Sequence, residues 1–141
     1  MGVLRWPVGV LIFLYALQAL FAATSTTGLK FGWVTSSAEM QRLLPLAQAI
    51  SVVQLAAWWA SIVLFFVSAW NVIRGIRTLP LYALAFVLDV GNWLLLKLGG
   101  VYDRTFTARE LKFDYLLLVL LMMLGATIWY VEGAAPRKAR A

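Results

Sequence analysis

The chain contains no cysteine and no histidine. It therefore has no disulfide, no thiol nucleophile and no imidazole for metal or haem ligation or for acid–base catalysis near neutral pH. These absences argue against most membrane redox enzymes. The sequence also has no phosphate-binding glycine loop, nucleophile elbow or metal motif. We therefore expect no catalytic residue, no metal ion and no required cofactor.

Charged residues are scarce as well. They make up 13% of the 141 residues, while 63% are hydrophobic. In average soluble domains, about 25% of the residues are charged and roughly 45–50% are apolar. The mean hydropathy is +0.86, and four apolar stretches are long enough to cross a bilayer. The sequence thus predicts an all-α integral membrane protein. We expect a single domain over residues 1–141, folded as a four-helix transmembrane bundle with up-down-up-down topology and short interfacial helices.

The four predicted spans cover residues 6–23, 46–73, 79–98 and 113–131, and a basic tail follows over 133–141. The first span resembles a secretory signal. However, Phe21 or Leu20 occupies the place where cleavage requires a small residue, so we expect an uncleaved helix. In the short turn after the second span, Gly75 suits a helix C-terminus and Thr78 an N-cap. Spans two and three are therefore expected to form an antiparallel hairpin.

Two capping-box spacings predict helices at the membrane surface. Ser36 and Glu39 predict a short interfacial helix before the second span, and Thr107 and Glu110 predict an interfacial start for the fourth helix. Pro45 is expected to kink the junction between the surface helix and the second span. At 1.5 Å per residue this span is about 42 Å long, so it should tilt or protrude from a hydrocarbon core of roughly 30 Å.

The net charge of +6 arises from twelve basic residues. They are spread over loops and termini, which is typical of topology signals and headgroup contacts and argues against nucleic acid as a partner. The basic residues divide equally between the two membrane faces. Because Arg74 and Arg77 lie in the shortest loop and the tail is basic, we expect both termini in the cytoplasm. The predicted location is a bacterial inner membrane.

Asp89 is the most informative residue, because it lies near the middle of the third span. An ionised side chain there costs roughly 2.5–3.5 kcal/mol on translocon scales, so it needs a partner and is a functional candidate. Asn92 and Trp93 follow at helical spacing, and Tyr82 lies two turns earlier on nearly the same face. Lys97 is about 12 Å along the helix axis and is expected to reach Asp89 only through water or by bending.

The second span carries a stripe at three-four spacing that is expected to oppose the Asp89 face. Gln54 or Ser61 is expected to hydrogen-bond the carboxyl group of Asp89 across the hairpin. Trp58 lies near mid-membrane although tryptophan prefers the interface, so its ring is expected to pack against protein or a bound lipophile. The stripe consists of Ser51, Gln54, Trp58, Ser61, Phe65 and Ser68.

Two interpretations of these residues are open. In the first, the neutral carboxyl group of Asp89 makes only an interhelical hydrogen bond, worth about 0.6 kcal/mol on average, and the tryptophans fill the core. In the second, Asp89 exchanges a proton near neutral pH, and Trp58, Trp93 and Tyr82 form an aromatic cage for a lipophilic cation.

These interpretations lead to different functions. The first favours a non-enzymatic accessory or assembly subunit of a larger membrane complex, which holds a lipid, quinone or carotenoid against its tryptophans. The alternative is a small proton-coupled transporter of lipophilic cations that works as a homodimer. In that case Asp89 carries the proton, Asn92 and Gln54 orient it, and Trp58 and the other cage residues line the site.

A lipid-modifying enzyme is a third class, which would use Asp103, Glu110 and Asp114 for acid–base chemistry. These acids alternate with basic side chains, so the sequence favours a solvated, mutually neutralised segment at headgroup level.

Overall fold

The computed structural model describes residues 2–32, 44–100 and 108–133. These residues contain five helices: α1 (Gly2–Lys30), α2 (Leu44–Ala49), α3 (Val52–Arg74), α4 (Leu79–Leu98) and α5 (Ala108–Gly133). All except α2 are long and apolar enough to cross a membrane, which confirms the predicted all-helical membrane fold. The capping boxes at residues 36 and 107, the acid at 103 and the tail beyond 133 lie outside the described residues.

The long helices follow one another around the bundle. The contact between α1 and α3 is the most extensive, followed by that between α3 and α4; α5 contacts α4 and, least extensively, α1. At one end, Arg5 lies against Gly75, and Glu132 binds the first residues of α4. We call this the turn end, because it holds the 75–78 turn. The opposite end, with α2 and the start of α5, is the loop end.

Helix α1 continues through the polar cluster that follows Ala23 and ends at Lys30. The hydroxyl groups of Thr24, Thr26 and Thr27 each donate to the carbonyl oxygen four residues earlier, at 2.7–2.8 Å. Because these hydroxyls are satisfied within the helix, the polar cluster does not end it. The Lys30 ammonium group donates to the carbonyl oxygen of Ile50, so the end of α1 is fixed beside the start of α3.

The predicted second span is divided at residues 50–51 into α2 and α3. Ser51 is extended and caps α3: its hydroxyl accepts from Gln54 N at 3.1 Å, and Gln54 Oε1 accepts from Ser51 N at 2.9 Å. Pro45 lies in the first turn of α2, where backbone N–H groups have no acceptor within the helix. The lack of an N–H group in proline therefore costs no helical hydrogen bond. The 23 residues of α3 span about 34 Å, close to the hydrocarbon thickness, so α2 accommodates the excess length.

The turn between α3 and α4 is closed by α5. Gly75 has φ +75° and ends α3, as its position predicts. Thr78 occupies the N-cap position of α4, but its hydroxyl donates to Ile76 O at 2.7 Å and does not cap the helix. Instead, the carboxylate of Glu132 accepts from the backbone N–H groups of Thr78 and Leu79, the latter at 3.1 Å. Glu132 thereby ties the last turn of α5 to the first turn of α4.

Candidate functional site

A cavity of about 780 Å³ lies in the half of the bundle nearest the loop end, between α1, α4 and α5. We call it the cleft. The α1 side chains that line it are mostly small, among them Ala19, Ala22 and Ser25, so α1 does not fill the space beside α5. Phe21 and Phe113 line the cleft while remaining 76% and 54% exposed. These two rings therefore flank an opening on the outer surface, where the bundle faces lipid.

Asp89 lines this cleft from the middle of α4. Its carboxylate accepts a hydrogen bond from the Tyr15 hydroxyl of α1, and the Tyr15 ring packs edge-on against Phe65 at 5.2 Å between centroids. Tyr15 was not among the residues predicted from the sequence. The available signal was that Tyr15 and Gln18 are the hydrogen-bonding side chains in the middle of the first span.

Gln54 and Ser61 have hydrogen-bond partners other than the predicted one. The Gln54 side chain caps its own helix, and the Ser61 hydroxyl donates to Trp58 O at 2.6 Å. Neither side chain bonds Asp89, because each is satisfied by the backbone of its own helix or cap. Gln54 contributes through its backbone instead: its carbonyl oxygen accepts from Asn92 Nδ2 at 3.1 Å.

Asn92 has an unused acceptor beside the cleft. The residue lines the cavity and is 7% exposed. Its Oδ1 atom is buried and has no hydrogen-bond partner in the part of the chain that the structure describes. A buried carbonyl oxygen without a donor is costly, typically about 1–3 kcal/mol. A ligand that donates a hydrogen bond or carries positive charge would relieve this cost.

The three aromatic residues proposed as a cage do not come together. Trp58 and Trp93 line the cleft. Tyr82 is 2% exposed and belongs to the core nearer the turn end. Its hydroxyl donates to Leu121 O at 2.6 Å and its ring packs edge-on against Phe65. Two helical turns separate Tyr82 from Asp89, which is enough to place its ring below the floor of the cleft.

Lys97 lies against aromatic rings at the loop end. Its ammonium group lies 5.4 Å from the centroid of Trp93 and 4.7 Å from that of Tyr115. The two rings are themselves edge-to-face at 5.6 Å. This is cation–π geometry, in which the negative ring face attracts a positive charge. The aromatic wall of the cleft thus already holds one ammonium group.

Two acids from the predicted headgroup segment also line the cleft. Glu110 and Asp114 lie on the first turns of α5, and Arg109 lines the cavity beside them. Both carboxylates are partly buried. Helix formation turns them towards the cleft, so they do not lie in an open loop.

The acids lie at different depths. Trp93 is one turn nearer the loop end than Asp89, and it contacts Tyr115, the residue after Asp114. Asp114 therefore lies nearer the loop end than Asp89. Glu110 lies a further turn out on the same helix face. The three carboxylates thus lie at successive depths along the cleft, Asp89 on α4 and the other two on α5.

Comparison of the chain with family models, with curated proteins and with solved structures found no match. The function is therefore inferred from the arrangement of these residues.

Proposed function

We propose that the protein binds a lipophilic organic cation in the cleft, with Asp89 as the counter-charge. One observation carries this proposal: the residues that line one cavity include a carboxylate, two tryptophans and an amide whose buried carbonyl oxygen has no donor among the described residues. The carboxylate is Asp89 and the carbonyl oxygen is Asn92 Oδ1. A positive charge is attracted by all of these groups. The opening between Phe21 and Phe113 gives a lipophilic molecule access from the bilayer.

Neutral lipophiles fit these groups less well. A quinone presents carbonyl oxygens, which would face Asn92 Oδ1, itself an acceptor. A carotenoid hydrocarbon has no hydrogen-bond donor, so Asn92 Oδ1 would stay unpaired and the free-energy cost of its burial would remain. Binding of a quinone or a carotenoid is therefore the weaker version of this proposal, in which the cleft accommodates an apolar molecule without recognising a charge.

The proposal extends to transport: the protein carries such a cation across the membrane in a proton-coupled process. The depths of Asp89, Asp114 and Glu110 support it, because successive carboxylates can pass a proton between the middle of the membrane and the loop end. In this scheme, binding of the cation displaces the proton from Asp89. A second copy of the chain, placed against the cleft opening, would complete the path.

The test compares two ligands of nearly equal shape and opposite charge. Binding of tetraphenylphosphonium and tetraphenylborate to the protein in lipid nanodiscs is measured by quenching of tryptophan fluorescence. We expect the cation to bind at least tenfold more tightly than the anion, and Asp89→Asn to remove that preference. Thr24→Val is the matched control, because Thr24 does not line the cleft and its hydroxyl donates within its own helix, to Leu20 O at 2.7 Å. Unchanged cation binding by Asp89→Asn would refute the proposal.

An accessory role in a larger complex of a bacterial inner membrane, with both termini cytoplasmic, is the second candidate. It is favoured by the limited contact between α1 and α5, which leaves room for a helix of a partner protein. Extraction in native-like lipid particles followed by mass spectrometry tests it. A stoichiometric larger partner would support this role. A lone monomer or homodimer would refute it and leave the cation-binding proposal to be decided by the ligand pair.

A further inference from the structure

A second cavity, of about 490 Å³, lies at the turn end between α1, the 75–77 segment and α5. It shares no lining residue with the cleft. Its walls are mainly apolar, and two arginines and one glutamate lie among them. We call it the turn-end pocket. The lining residues include Arg5, Val8, Gly75, Arg77, Ile128 and Glu132.

Arg5 and Arg77 bring positive charge to this pocket. Arg5 is half-buried and its guanidinium group lies directly on Gly75, where a Cβ atom would meet Nη1. Arg77 is exposed. Neither guanidinium group hydrogen-bonds or pairs with another residue in the ranges 2–32, 44–100 and 108–133. Arg74, in the same turn, differs because it lies over the Trp70 ring at 5.5 Å and does not line the pocket.

Glu132 offsets only one of these two positive charges. Its carboxylate accepts from two backbone N–H groups at the start of α4, so its oxygens are already engaged. Two guanidinium groups face one engaged carboxylate, and the pocket is positive overall. Guanidinium groups bind phosphate through paired N–H donors.

We propose that the turn-end pocket binds one anionic phospholipid. Arg5 and Arg77 hold its phosphate group, and the upper part of an acyl chain lies against the apolar wall formed by residues such as Val8 and Ile128. The position supports a lipid over free phosphate, because the pocket lies where the helices reach the membrane surface and is lined mainly by apolar side chains. Basic pockets between transmembrane helices are suited to acidic headgroups.

The experiment is native mass spectrometry of the detergent-solubilised protein, titrated with dioleoyl phosphatidylglycerol or dioleoyl phosphatidylcholine. We expect one phosphatidylglycerol molecule to bind in preference to phosphatidylcholine. The double variant Arg5→Gln, Arg77→Gln should bind it about thirty-fold more weakly and Arg77→Gln alone about five-fold, since each basic residue near an anionic headgroup contributes about 1 kcal/mol and 1.4 kcal/mol is tenfold. Arg74→Gln should change the affinity by less than about twofold.

Several results would overturn this proposal. An equal loss in Arg74→Gln would show that only total charge matters. Equal binding of the two lipids, or complete displacement by millimolar inorganic phosphate, would exclude recognition of an anionic lipid. If the double variant does not fold, Arg77→Gln decides the outcome alone, because an exposed side chain can be replaced without disturbing the core. The charge-retaining double variant to lysine should keep most of the preference.

Discussion

Replacing Tyr15 by phenylalanine tests whether the hydrogen bond from α1 to Asp89 both stabilises the bundle and competes with cation binding in the cleft. The change removes the hydroxyl that donates to Asp89 and keeps the ring that packs on Phe65. Interhelical hydrogen bonds in membranes are worth about 0.6 kcal/mol on average and up to roughly 1.7, so the variant should lose about that much stability. At alkaline pH, where Asp89 is ionised, the freed carboxylate should bind tetraphenylphosphonium more tightly by the same free energy, which is about threefold to eighteenfold.

Tyr82→Phe is the matched control for this experiment. It removes another interhelical hydrogen bond, from the Tyr82 hydroxyl to Leu121 O at 2.6 Å, and likewise keeps a ring packed on Phe65. Its stability should fall by a similar amount, whereas cation binding should not change, because Tyr82 does not line the cleft.

Unfolding in mixed micelles measures the change in the free energy of unfolding, and fluorescence quenching measures the change in affinity for tetraphenylphosphonium. A double-mutant cycle with Asp89→Ala, which cannot accept the Tyr15 hydroxyl, should give a coupling of about 0.6–1.7 kcal/mol for Tyr15 and near zero for Tyr82. Weaker cation binding in Tyr15→Phe, or equal coupling for both tyrosines, would refute the reasoning.

Three further predictions concern the turn end and the cleft. Glu132→Gln removes the charge that caps α4, so we expect a loss of about 1 kcal/mol in stability and faster hydrogen exchange at the Thr78 amide; unchanged exchange would contradict the capping role. Gly75→Ala should cost about 1–2 kcal/mol in unfolding free energy, because φ is +75° and the new methyl group meets Arg5; an unchanged midpoint would argue against it. Asn92→Leu should leave stability within about 1 kcal/mol but weaken tetraphenylphosphonium binding, and equal affinity would exclude Asn92 from the site.

The spans could be predicted from hydropathy because apolar length is the dominant signal in a membrane protein. The structure gives α4 the bounds predicted for the third span, Leu79–Leu98. The division at residues 50–51 could not be seen in the same way, since the hydropathy continues across it. Ser51 and Gln54 do carry the S-x-x-Q spacing of a capping box, so a local signal existed inside the apolar stretch.

The candidate site was accessible only in part. Asp89 and Asn92 can be identified from their positions in the sequence, because a carboxylate and an amide are rare in the middle of an apolar span. Their partners depend on how each helix is rotated about its axis, which spacing along one helix does not determine. This is why Tyr15 was missed and why Tyr82, on nearly the right face of its own helix, lies below the cleft.

The capping of α4 by Glu132 has a consequence for the order of synthesis. Thr78 is fully buried, and its N–H group is bonded by a side chain from the last turn of α5. During synthesis, a hairpin of α3 and α4 therefore forms before its capping carboxylate exists, and the first N–H groups of α4 then face water and headgroups at the membrane surface. The first turn of α4 is fixed only after residue 132 has been made, 54 residues later than Thr78.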